Sequence, residues 1–420
     1  MLKIKRVVAA SLFVIIPMAM LAQNNTNSPY TRYGFGELAD RSFGAGRSMG
    51  GIGYGMRSNK QINPLNPASY TSMDSLTFLF DVGVAGQVSW FNDGTNKQRQ
   101  INGNIEYIAL QFPVHRRIGV SAGILPYSYV GYDYGTDGIQ EERIDYRNRY
   151  TGKGGLNELY GGVSMEIWKK RLSVGANIGY LFGNIDHSMS ITPYSSAQTY
   201  VSSRTQRIQV RDIRLNFGTQ YTHPISASEN IVFGIAYSPA KKLNVSSYNV
   251  EVLSAISGGT VETAADTIKN QLFDIPHSVG AGVSYVKQNK LTLAVDFLFE
   301  NWGQARFFDN KDLLKNRVRV ATGTEFIPNY MNRSFFSRIR YRTGIHYSNS
   351  YLKIRDSGYN EYGASIGAGL PLIDNRSLVN ISFEYVKIKP ETRILIDEQY
   401  FRFTVNYTFN EMWFRKFKVN

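Results

Sequence analysis

The sequence predicts an all-β protein, a transmembrane antiparallel β-barrel of about fourteen strands with an N-terminal hatch segment inside its lumen. Three observations carry this. Apolar and polar residues alternate with period two, over segments of about ten residues, from Leu76 nearly to the C-terminus. Past residue 22 no stretch reaches the 18 consecutive apolar residues of a helical span. The chain holds 28 Tyr, 24 Phe and 38 Gly but only 19% charged residues, against roughly 25% in soluble domains. Such a composition suits long strands and their turns.

The first element is a targeting signal. Lys3, Lys5 and Arg6 precede an apolar run from Val7 to Leu21, and the small Ala22 is followed by polar residues. That order is the order of a secretory signal peptide, with cleavage expected after Ala22. The alternative, a membrane anchor, has too short a core, broken by Pro17. Loss of three positive charges takes the net charge from +14 to +11 (14 − 3). With no cysteine in 420 residues, disulfide scaffolds, Cys-based zinc or iron–sulfur sites, thiol nucleophiles and an N-terminal lipoprotein anchor are all excluded.

Strands are expected at 76–91, 104–115, 117–132, 156–168, 171–183, 207–222 and 229–238. A second set is expected at 278–287, 290–302, 316–327, 337–349, 359–371, 377–388 and 399–409. Phe78, Phe80, Val82, Val84, Val88 and Trp90 share one face of the first, opposite Asp81, Gly83, Ala85, Gln87 and Ser89. Phe401, Phe403, Val405, Tyr407 and Phe409 do the same in the last. Fourteen is even, as single-chain bacterial barrels require. Connections alternate between short and long, the rhythm of periplasmic turns and extracellular loops. This rhythm places both ends of the mature chain in the periplasm. The stretches 186–206 and 243–264 are further candidates for strand extensions above the membrane. Trp90, Trp168, Tyr237 and Trp302 are expected at the interfaces, where an aromatic ring sits half wet.

Residues 23–75 do not alternate. They are Gly-rich and polar, and they end in Asn66-Pro67-Ala68 shortly before the first strand. About fifty residues make too small an independent domain, but they can pack against a barrel wall. By itself, Asn-Pro also starts ordinary turns. A Gly-rich stretch, then Asn-Pro-Ala, then fourteen strands resembles the FadL family of outer-membrane proteins. In that family the N-terminal segment is a hatch and the Asn-Pro-Ala box lies in it; Asn66, Pro67 and Ala68 match the box. The run Thr408-Phe409-Asn410-Glu411-Met412-Trp413-Phe414 resembles PorV-like members, which work within larger outer-membrane machines. One departure is that about eleven residues follow Phe409, forming a basic aromatic tail over 410–420. That tail is read either as an interfacial amphipathic segment or as a frayed end.

Catalytic chemistry is not indicated, and the chain is not read as an enzyme. Gly51-Ile52-Gly53-Tyr54-Gly55 lacks the strand and helix of a dinucleotide fingerprint. The five histidines stand far apart, so no metal site and no cofactor are expected. Arg32, Arg41, Arg47 and Arg57 of the hatch segment are expected to pair with the lumen carboxylates Asp81, Asp296 and Glu384, because a buried charge needs a partner. The positive balance points to the phosphates and acidic sugars of outer-membrane lipid and lipopolysaccharide, or to an acidic partner protein, and not to nucleic acid. Two functions remain open. One is an integral subunit of an outer-membrane complex for protein secretion or barrel assembly. The other is a channel for hydrophobic small molecules such as fatty acids. Arg214, Arg338, Arg340, Arg342, Arg402, Asn216 and Asn406 at expected lumen positions favour the first.

Overall fold

The computed structural model describes residues 26–140, 143–168, 171–194, 200–255, 259–268, 272–372, 376–392 and 395–412. The expected signal segment 1–22 and the end of the aromatic tail therefore lie outside the described residues. Fourteen antiparallel strands close into one barrel. They are β1 (Thr77–Asn92), β2 (Lys97–His115), β3 (Ile118–Gln140), β4 (Arg143–Trp168), β5 (Leu172–Pro193), β6 (Tyr200–Pro224) and β7 (Glu229–Ser238). Then come β8 (Ser278–Lys287), β9 (Leu291–Glu300), β10 (Arg317–Phe326), β11 (Arg340–Asn349), β12 (Tyr359–Pro371), β13 (Leu378–Pro390) and β14 (Asp397–Met412). β14 pairs with β1 from Asp397↔Asn92 to Met412↔Thr77, which closes the ring.

The wall is built by parity. On β9, Leu293, Val295 and Phe297 are exposed while Ala294 and Asp296 are buried. A hydrocarbon exterior rewards apolar residues on the outer face and leaves the polar set inside. Of the five residues expected to face lipid by their parity, Val295, Phe297 and Phe403 are exposed, and Phe80 and Val84 are half-buried.

The strands of the first half are longer than the alternation shows. β3 to β6 run 22–26 residues, and a hairpin of Val245–Ala255 and Thr260–Ile268 pairs onto the upper part of β6. The segment 133–155, expected as a connection between strands, thus contributes ordered ribbon, and the candidate extension 243–264 falls on the hairpin. Their ladder is stitched by polar and aromatic cross-strand pairs such as Arg149–Asp133 and Tyr134–Tyr150. Such pairs leave no apolar stripe to count.

Connections at the far end from Met412 fold inward as a cap. Leu243, Phe273, Ile275, Trp302, Phe307, Leu314, Tyr351 and Leu352 form one buried core with Tyr30 and Phe35. Trp302 belongs here and not at the membrane interface. It is fully buried, with its ring 4.7 Å from that of Tyr351 and 6.0 Å from that of Phe35. The segment 337–349 also differs: a helical turn, Phe335–Arg338, precedes β11, so Arg338 is not on the wall.

Candidate functional site

Residues 26–76 thread the lumen. Thr26 and Asn27 begin near the cap, where the Asn27 amide donates to Asn102 Oδ1 at 2.9 Å and the Ser28 hydroxyl to Glu398 Oε1 at 2.8 Å. The chain then descends to Thr77 at the opposite end. The N-terminal end of the described chain and Met412 therefore lie at opposite ends of the barrel. The start of the mature chain, residues 23–25, and the end of the tail, which are expected on one side, lie outside the described residues.

A segment without ladder partners must find acceptors and donors for its backbone. The wall provides them. Asp296 Oδ2 accepts from the backbone N–H groups of Gly53 (2.6 Å) and Tyr54 (2.8 Å). Asn66 acts in both senses: its Oδ1 accepts from Ala68 N at 3.1 Å, and its Nδ2 donates to Tyr54 O (2.9 Å) and Thr219 O (3.1 Å). The side chain thus caps the 3-10 turn Pro67–Ser72 and fastens it to β6. Pro67 presets the first helical φ and needs no donor there. Tyr70 is fully buried and donates to Asn177 Oδ1 at 3.0 Å. Close approach needs glycine on the wall. A Cβ on Gly175 would stand 2.6 Å from the Pro67 carbonyl. Gly50, at φ +76° beside the Ile345 carbonyl, needs a left-handed turn that side chains resist.

Charge fills the rest. Glu158 receives Arg41 at 2.9 Å and Arg214 at 3.3 Å. Arg319 meets Asp40 at 3.0 Å, Arg317 meets Glu300 at 3.2 Å, and Arg402 bridges Glu384 (3.2 Å) and Glu37 (3.5 Å). Nearer the short turns, Glu325 takes Arg340 and Arg342. What remains open in the middle is a cavity of about 120 Å³. Its charged lining is balanced, with Arg41, Arg47, Arg214, Arg317, Arg319 and Arg402 against Glu37, Asp40, Glu106, Glu300, Glu361 and Glu384, six of each, beside His346.

The residues singled out from sequence are placed as follows. Arg47 pairs with Glu106 and Glu384 with Arg402, so neither meets the other. Asp81 accepts from the Tyr107 hydroxyl at 3.1 Å, and Asp296 serves backbone amides. Arg57 donates to Thr71 Oγ1 (2.8 Å) and to the Ala68 carbonyl (3.2 Å). Arg32 is not in the lumen network at all; it sits in the cap, 4.1 Å over the Tyr150 ring. The expected pairing of hatch arginines with Asp81, Asp296 and Glu384 is thus corrected. Irregular backbone competes for the carboxylates, and wall arginines reach Glu384 first. The residues missed, Asp40, Glu106, Glu158, Arg317 and Arg319, lie far apart in sequence. Charge at inward parity was the available sign.

One seam interrupts the wall. β2 and β3 pair only from Ile108↔Ile124 to His115↔Ile118. Beyond that level a bulge between Pro126 and Ser128 bends β3 inward. The freed edge of β3 is met by the lumen segment: Glu37–Leu38 pairs with Tyr129 and Ser128, and Ala39 N donates to Tyr127 O at 3.0 Å.

A family model described as BamG matches residues 2–420. No curated protein matches the chain. Among solved structures it is similar to a Pseudomonas aeruginosa FadL homologue (15% identity, TM-score 0.59, 89% of this chain and 99% of that one). It is also similar to the Pseudomonas putida toluene transporter TodX (13%, 0.59, 90% and 100%) and to the CymD monoaromatic hydrocarbon channel (14%, 0.58, 90% and 98%). The FadL-type fold read from the hatch, the box and the strand count is the fold found.

Proposed function

The chain belongs to the BamG family, and from that premise we propose that it is a non-enzymatic, integral subunit of a larger outer-membrane complex for protein secretion or barrel assembly. The observation that carries this reading is the lumen. Six arginines and six carboxylates line the central space beside the threaded segment, and an apolar cap closes above it. An apolar solute would have to part buried ion pairs, and stripping one partner from such a pair costs about 3–5 kcal/mol. The long ribbons β3–β6 and the hairpin 245–268 instead offer surface beyond the membrane for partner proteins. In this reading 1–22 is removed on export, 23–75 is a plug, the short turns face the periplasm, and lipid and lipopolysaccharide surround the wall.

The test is extraction from native membranes in mild detergent, followed by sizing and mass spectrometry of what co-migrates. Stoichiometric partners support the reading, and a solitary barrel that carries elongated lipid-like density overturns it. The second reading, a channel for hydrophobic small molecules, is favoured by the β2–β3 seam and by the transport named for TodX and CymD. It requires that cells lacking the protein take up toluene or fatty acid more slowly.

A further inference from the structure

The cap holds a pocket that neither reading uses. On β5, outward positions are apolar at Ile178 and Tyr180 and polar from Asn184 through Asp186 and Ser188, so the membrane ends near residue 182. The pocket lies beyond that level, on the inner face of the ribbons. It has a volume of about 260 Å³, near the lower bound of about 300 Å³ for ligand clefts.

Its walls differ in chemistry. One is aromatic: Tyr132 stacks against the His187 ring at 5.9 Å, and Tyr134 and Tyr150 continue the strip, their rings 5.4 Å apart. Facing them are Phe307 and Phe308. Phe308 (φ 53°) and Asp309 (φ 63°) both hold left-handed backbone, a costly conformation for side chains of this kind that marks functional sites. Phe308 is locked there by an edge contact with Phe273 at 4.6 Å. The polar groups are held ready. The Asn249 amide oxygen is buried with no hydrogen-bond partner. Arg32 donates from Nη1 to the Tyr134 hydroxyl at 2.8 Å and lies 4.1 Å over Tyr150. Among the described residues that contact leaves four of its five N–H donors uncommitted, and no carboxylate bridges it. At the rim, Arg204 is tied to Glu251 at 3.4 Å. Burial, and then Arg32, push the His187 imidazole down to about 4, so it enters as a neutral ring hydrogen-bonded to the Tyr132 hydroxyl.

We propose that this cap pocket binds a saccharide carrying an acidic group, phosphate or carboxylate. Aromatic faces suit the apolar side of a sugar ring, amide and hydroxyl groups suit its edge, and Arg32 supplies the one uncompensated charge, in the fork geometry that matches such anions. The same chemistry comes from two sources: the sugars of lipopolysaccharide in the surrounding leaflet, or a soluble acidic saccharide.

The test uses the full chain in detergent, titrated calorimetrically with D-glucuronate and D-glucose 1-phosphate, and with uncharged D-glucose as the contrast. The acidic sugars should bind saturably and at least about tenfold more tightly than glucose, and Arg32→Gln should remove about tenfold of that preference. Asn249→Asp, which puts a like charge opposite the anion and leaves Arg32 intact, should weaken the acidic sugars while sparing glucose. Unchanged thermal unfolding separates these effects from misfolding. In nanodiscs, lipopolysaccharide retained by the parent and lost from R32Q on native mass spectrometry assigns the leaflet source. Equal retention by both, with acidic-sugar binding lost in R32Q, assigns the soluble one. Equal binding of glucose and glucuronate, or R32Q and N249D both indistinguishable from the parent, overturns the proposal.

Discussion

The interior of the molecule changes character halfway along its length. Between the short turns and the level of residue 182 the inside is mostly ionic and hydrogen-bonded, with two smaller apolar clusters around Phe43 and Tyr107 and around Met49 and Ile52; above it the inside is one larger aromatic and aliphatic core. Single strands carry both. On β6, Ile208 and Val210 are buried in the cap while Ile213, Leu215 and Phe217 are exposed on the outer face. The apolar parity switches between residues 210 and 213. The solvent on the outside decides this. Where lipid covers the wall, apolar residues gain by facing out and the polar set is forced in. Where water covers it, burial of apolar area pays in the ordinary direction. The lumen segment is adapted to the lower regime. It is glycine-rich and polar, and is held by hydrogen bonds such as those of Asn66 and Asp296 and by small apolar clusters at Phe43, Met49 and Ile52, whereas its start at Tyr30 and Phe35 joins the large apolar core.

The contrast can be broken most severely by removing the lumen segment. A chain lacking 24–60 should still insert but conduct ions steadily in planar bilayers, with the intact protein nearly closed. Steady porin-like conductance from the intact protein would show that the segment blocks nothing. Next in size is Glu158→Gln, which strands Arg41 and Arg214 in a buried setting. It should cost about 3–5 kcal/mol in denaturant unfolding, because an unpaired buried charge is left. A cost below about 1 kcal/mol, as at exposed pairs, would mean that water floods the lumen.

A paired comparison on β6 sharpens the boundary. Leu215→Arg, on the lipid face, should cost about 2–4 kcal/mol near mid-membrane, and Gln209→Arg, just beyond the switch and also outward, about 0–1 kcal/mol. Equal costs would move the membrane edge. A smaller effect than at Leu215 is expected at Asn66→Ala, which removes a cap worth about 0.5–2 kcal/mol and the amide's bonds to Tyr54 O and Thr219 O. Besides the lowered midpoint, faster hydrogen exchange should be confined to 54–72; exchange spread over the whole barrel would place the role of Asn66 in the wall.

Much of the barrel is legible in the sequence because lipid imposes a period-two pattern over most of each strand, broken at bulges such as that between Gly83 and Val84. Phe401, Phe403 and Val405 announce their strand and its outer face. The site was less legible. Arg214 and Arg402 are visible as charges at inward positions, yet their partners Glu158 and Glu384 are 56 and 18 residues away, and nothing local joins them. Arg32 and Asp296 looked like members of one charge network. The structure sends one to the cap and gives the other to backbone amides.

Strand parity, the closed antiparallel ring and the separate character of the segment before it are properties of the sequence alone, since each follows from local residue order against a known solvent. Four things were decided only by the tertiary structure. They are the ion pairs of the lumen, the seam where β2 and β3 part at Ile108 and Ile124, the folding of residues 301–316 and 350–358 into a core, and the direction in which the first segment threads. Each depends on which groups meet across the ring. Buried charges and unpaired amides take the partner that geometry brings within about 3 Å, and that distance is set by closure of the barrel, not by neighbours in the chain.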